Sequence, residues 1–67
     1  VYNEVRDLLL KALKSKEAVD TWLNTKHSVF GDMNAEDFIQ ELLRIGNIET
    51  AEDGWCEVRG AVRRIYG

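Results

Sequence analysis

The sequence predicts an all-α fold, a small bundle of about four helices forming one domain over residues 1–67. Three observations carry this. The apolar residues recur at spacings of three and four, the period of a helix with one buried face. No segment shows the apolar–polar alternation of a half-buried strand. The chain contains no proline, and residues that cap helices stand at the head of each periodic run.

The first helix is expected over 4–14, EVRDLLLKALK. Val5, Leu8, Leu9, Ala12 and Leu13 fall on one stripe, and Asn3 is placed to cap the start. Ser15 interrupts and can cap a shorter helix, KEAVDTWLN, whose apolar face is Ala18, Val19, Trp22 and Leu23. A single bent helix across this break is the alternative. Asn24 to Met33 reads as a loop, with Val29 and Phe30 turned inward and Gly31-Asp32 as a turn. Asn34 caps a third helix, AEDFIQELLRI, in which Glu36 and Asp37 complement the helix dipole. Phe38, Ile39, Leu42 and Leu43 form its buried stripe, and Gly46 stops it. Thr50 caps the last helix, where Trp55, Val58, Val62 and Ile65 share a face. Gly54 and Gly60 each weaken that helix by about 1 kcal/mol relative to alanine, so a close neighbour is expected at Gly60. The core expected from these patterns is Leu9, Trp22, Leu23, Phe38, Leu42, Trp55, Val58 and Val62.

Size and charge exclude several functions. A chain of 67 residues buries only about 60% of its unfolded surface, enough for one modest core. Its net charge of −3 argues against a nucleic-acid surface, which needs a basic excess. No apolar run is long enough for a membrane span, and the start does not resemble a signal. The single cysteine, Cys56, cannot form an internal disulfide, which points to a reducing cytoplasm. The chain starts at Val1 without a methionine, so either the initiator has been removed or this is a piece of a longer chain.

The sequence offers little chemistry, and no catalytic residue, cofactor or metal is expected. Nucleophilic catalysis needs a Cys, Ser or Thr held against a base. His27 reads as a solvated loop residue and Cys56 as a partly buried small hydrophobe, with nothing beside either to activate it. One His and one Cys cannot make a zinc site. Glu49, Glu52 and Asp53 lack the spacing of a calcium loop and read as capping residues. No glycine-rich phosphate loop is present. Lys11, Lys14, Lys16 and Lys26 are interleaved with Asp7, Glu17 and Asp20, and read as solvated faces. The third helix exposes Glu36, Asp37, Gln40 and Glu41, which a phosphate backbone would repel, so it does not suit DNA recognition. A binding module fits better than an enzyme.

Three stretches carry a family resemblance: AVDTWLNT at 18–25, VFGDMNAEDF at 29–38 and VRGAVRRIYG at 58–67. Together they resemble the toxin-binding domain of the Xre/MbcA/ParS antitoxins, over about residues 17 to 67. That family has a helix ending in Trp-Leu-Asn-Thr, a Gly-containing loop, a Thr-Pro helix start, and a closing helix with an Ile/Leu-x-Tyr-Gly-like end. Here Asn34-Ala35 stands where Thr-Pro is usual, a conservative exchange of N-cap and first helical residue. Lys26-His27 replaces the usual Pro-Asn. The helix-turn-helix domain of many relatives is absent from these residues, so DNA binding is not carried over.

The resemblance implies a cytoplasmic bacterial or phage antitoxin, and as partner a RES-domain toxin that consumes NAD. It also implies that the C-terminal helix and tail occlude the toxin's active site. Arg59, Arg63, Arg64, Tyr66 and Gly67 are then the expected partner-binding residues, since arginine and tyrosine are common interface anchors. The alternatives are a non-catalytic scaffold or self-association module, forming a homodimer, and a fragment of a small transcriptional regulator.

Overall fold

The computed structural model describes the whole chain, Val1–Gly67. It holds four helices: α1 (Tyr2–Leu13), α2 (Lys16–Asn24), α3 (Ala35–Ile45) and α4 (Ala51–Tyr66), with a short 3-10 turn at Ser28–Phe30. There is no strand; one isolated bridge joins His27 and Met33. The bundle is all-α, as the periodicity predicts.

Local chemistry sets most of the boundaries. The Ser15 hydroxyl accepts the Ala18 N–H at 3.3 Å, the Asn34 side chain accepts the Asp37 N–H at 2.8 Å, and the Thr50 hydroxyl accepts the Asp53 N–H at 3.2 Å. Each satisfies a donor that the first turn leaves free. The first two helices are separate, because Lys14 takes a left-handed conformation (φ 64°) after α1. Gly46 (φ 80°) closes α3. The start of α1 differs from expectation: Val1 is the cap residue, makes no side-chain cap, and Asn3 lies inside the helix.

Helices α1 and α4 lie side by side and run in the same direction. Glu4 faces Arg59, and Leu8 and Ala12 face Val62 and Tyr66 further along. Helix α3 packs on α4, and α2 packs on both α1 and α3. The buried core is Val5, Leu9, Val19, Trp22, Phe30, Ala35, Ile39, Val58, Ala61 and Val62, with no buried polar or charged residue.

Four residues expected in the core are only half-buried: Leu23, Phe38, Leu42 and Trp55. On α3 Ile39 is buried as its place in the stripe predicts, and Ala35 joins it, while Phe38, Leu42 and Leu43 are only half-buried. Gly54 allows the close approach. A Cβ there would lie 2.6 Å from Ile39 Cγ2, so the missing side chain lets α3 seat Ile39 directly on the α4 backbone. The glycine that allows close approach is therefore Gly54 and not Gly60, whose nearest neighbour would be an Arg64 nitrogen at 3.7 Å. Trp55 packs at the edge of the core, edge-on to Tyr2 with ring centres 4.7 Å apart. Val29 and Ile65 are also exposed, at 41% and 49%; of the loop pair only Phe30 turns inward.

The aromatic loop explains the Trp22 stretch. Phe30 meets Trp22 edge-to-face at 5.9 Å and stacks on Phe38 at 4.8 Å. His27 is not a solvated loop residue: its ring lies over Trp22 at 4.2 Å. Its Nε2 is 2.8 Å from the Trp22 carbonyl oxygen, and since a carbonyl only accepts, that nitrogen carries the proton. The loop closes on itself through His27 N–H to the Met33 carbonyl at 3.2 Å. Trp22 thus anchors α2 and the loop that launches α3.

Candidate partner-binding face

The last turn of α4 differs from the rest of the helix. Val58, Ala61 and Val62 are buried, whereas Arg63, Arg64, Ile65, Tyr66 and Gly67 are all exposed. Backbone bonding keeps the turn regular to its end, with Gly67 N–H donating to the Arg63 carbonyl at 2.8 Å. A helix held by packing on one side carries its final turn outward as a rigid continuation.

The arginines split into two groups. Arg59 is engaged within the fold: its Nη1 donates to both Glu4 carboxylate oxygens, at 3.0 and 3.1 Å. It ties α4 to α1. Arg63 and Arg64 make no ion pair; the four ion pairs in the molecule involve Val1, Arg6, Arg44 and Arg59. Among the expected partner residues, the structure brings Arg63, Tyr66 and Gly67 together around one open cleft of about 370 Å³. Leu8, Lys11, Ala12 and Val62 complete its lining. On the α1 side, Leu8 and Ala12 belong to the expected apolar stripe and Lys11 to an expected solvated face; Leu8 is half-buried and Ala12 exposed, and the three meet Arg63 only because α1 lies beside α4.

Perturbed groups lie elsewhere. A hydrogen bond to the Tyr2 hydroxyl, then one to Asp20, raises the Arg6 pKa. Arg44 and Glu41 pair one turn apart on α3; their hydrogen bond lowers the Glu41 carboxyl and raises the Arg44 guanidinium. These are structural pairs on exposed helix faces. Cys56 is free and exposed, not partly buried as its sequence context suggested. No cluster of three His, Cys, Asp or Glu side chains has the arrangement to hold a metal ion. No helix is long and apolar enough to cross a membrane.

Comparison with protein-family models, with curated proteins and with solved structures finds no match to this chain.

Proposed function

We propose that this chain is an antitoxin-like binding module that neutralises a RES-type, NAD-degrading toxin by occluding its active site with the end of α4. One observation supports this reading above the others. Two unpaired arginines, an isoleucine and a tyrosine stand exposed on consecutive positions of an ordered helix. Arginine can pair with carboxylates and phosphates in two-pronged geometry, and tyrosine brings apolar area with a polar tip. Such groups suit a nucleotide-binding cleft. The toxin class itself comes from the resemblance of the Trp-Leu-Asn-Thr and Ile-Tyr-Gly stretches. The same resemblance, with the single cysteine, places the module in a bacterial or phage cytoplasm.

The test is deletion of Arg63–Gly67. Val62, the last buried residue, stays in place, so the helical circular dichroism spectrum should persist. Protection of cells from a RES-domain toxin encoded by the neighbouring gene should be lost. Full protection by the shortened chain would overturn the reading. A second reading, self-association, draws on the exposed apolar residues Tyr2, Leu10, Val29, Ile45, Ile65 and Tyr66. It predicts a concentration-dependent dimer in sedimentation and no toxin binding.

A further inference from the structure

We infer that the cleft between α1 and the end of α4 is a docking groove for an acidic segment of a protein partner that carries one apolar side chain. The inference rests on the reading of this chain as a partner-binding module, and adds a second wall, from α1, to the face that the tail presents.

The floor of the cleft is apolar. Leu8 is half-buried and Val62 buried, with Ala12 beside them. Its volume of about 370 Å³ lies at the low end of the roughly 300–1,000 Å³ typical of ligand pockets. It is open along its length, so it suits a side chain presented by a surface segment. The rim is cationic from both sides, with Lys11 on α1 and Arg63 on α4. Neither is in an ion pair. Both also sit in last-turn positions that favour cations through the helix dipole, but the dipole does not require them to converge on one cleft from two helices. The acids nearby are Glu4 and Asp7, which line the adjoining recess with Lys11 and Arg63. Glu4 is taken by Arg59, while Asp7 makes no ion pair.

The chain as a whole carries −3, so this end opposes the sign of the rest. Lys14 and Arg64 add to it, while Glu49, Glu52 and Asp53 lie around the opposite end of α4. A charge distribution polarised in this way orients an acidic partner before contact. A nucleic acid fits less well. Its continuous phosphates would gain nothing from the apolar floor, and the net negative charge opposes its approach.

The test is a nuclear magnetic resonance titration of the full chain. The probe is an acetylated, amidated peptide with a central Leu-Phe pair flanked on each side by two glutamates. The methyl signals of Leu8, Ala12 and Val62 should shift. In Lys11→Glu/Arg63→Glu the affinity should fall by about tenfold or more. The milder Lys11→Gln/Arg63→Gln, checked for an unchanged helical spectrum, should fall in the same direction and guards against misfolding. Unmoved methyls would overturn the inference. So would equal shifts from an all-glutamate peptide or from a single-stranded oligonucleotide, because the apolar floor would then play no part. Shifts of the same methyls with protein concentration alone would overturn it in favour of a second copy. The titration needs no toxin, so failure to neutralise a toxin would remove the proposed function while leaving this result to be read separately.

Discussion

The two halves of α4 follow different rules. In the first half, Gly54 and Val58 are buried, and Arg59 is paired with Glu4. In the last turn Ile65 and Tyr66 are 49% and 43% exposed, and the arginines are unpaired. The backbone is helical throughout. Continuous backbone hydrogen bonding therefore does not imply continuous packing. The helix as far as Val62 fixes the bundle, and its last turn is carried by it. For so small a domain this is a cheap way to hold a binding element in one orientation, since its order is supplied by a neighbouring turn.

The strongest way to break this comparison is to place a charge in each half. Val58 is fully buried, in a core that holds no polar or charged residue. Val58→Asp should cost on the order of 3–5 kcal/mol, as an uncompensated buried charge does. A chain of this length has about 3–10 kcal/mol of stability in all, so the variant should lose about a third of it or more. The same replacement at Ile65 should cost less than about 1 kcal/mol, mostly from the adverse dipole at a helix end. Urea midpoints for the two proteins decide it. Equal losses would mean that the last turn is packed as firmly as the first half.

The two glycines sharpen the contrast at smaller scale. Gly54→Ala sets a Cβ against three atoms of Ile39, at 2.6, 2.8 and 3.1 Å. One of them is Ile39 Cβ, which cannot move without the α3 backbone. Overpacking costs about 1–3 kcal/mol, and the helix propensity of alanine returns about 1 kcal/mol. A net loss of up to about 2 kcal/mol should follow. Ile39→Ala removes the two nearer atoms but keeps the Cβ at 3.1 Å, so in that background the loss at the second step, Gly54→Ala, should shrink. Gly60→Ala meets only ordinary contact at 3.7 Å, so it should stabilise the protein by up to about 1 kcal/mol. A destabilised Gly60→Ala would mean that the outer half is packed more closely than its exposure indicates.

What the sequence could reveal follows the same division between local and non-local causes. The ranges of α2 and α3 were legible to the residue, because Ser15, Asn34 and Gly46 act within a few positions of themselves. The four-helix, all-α class followed from periodicity. The face that α3 turns inward was partly legible. Ile39 stands in the expected stripe, but Phe38 and Leu42 are as apolar, and the close seat of Ile39 on Gly54 depends on contact between α3 and α4. His27 was misplaced for a related reason: its ring is held by Trp22, and a solvated loop and a stacked one have the same local sequence. The exposure of Arg63, Arg64 and Tyr66 was half legible. The apolar stripe thins after Val62, yet Ile65 continues its spacing, and only three-dimensional packing shows that the core has ended. That Arg59 belongs to the fold, and Lys11 to the cleft, depends on the parallel alignment of α1 and α4.

The smallest expected effect separates the arginines themselves. Arg59 and Glu4 have side chains 27% and 53% exposed, so water and salt screen most of their attraction. Exposed pairs are worth about 0.2–1 kcal/mol. Arg59→Gln should therefore cost no more than about 1 kcal/mol, and part of that is lost packing of the arginine stem. A double-mutant cycle with Glu4→Gln isolates the pairwise part, which should shrink when salt is raised from low to molar concentration. Arg64→Gln should leave the urea midpoint unchanged in either salt, because no acid contacts it. The partner assay should give the reverse order. Arg64→Gln and Arg63→Gln should weaken binding, while Arg59→Gln, already committed to Glu4, should change it little. If Arg59→Gln were the variant that lost binding, then Glu4 would release it in the complex. The boundary between the structural and the presenting halves of α4 would then lie a full turn earlier.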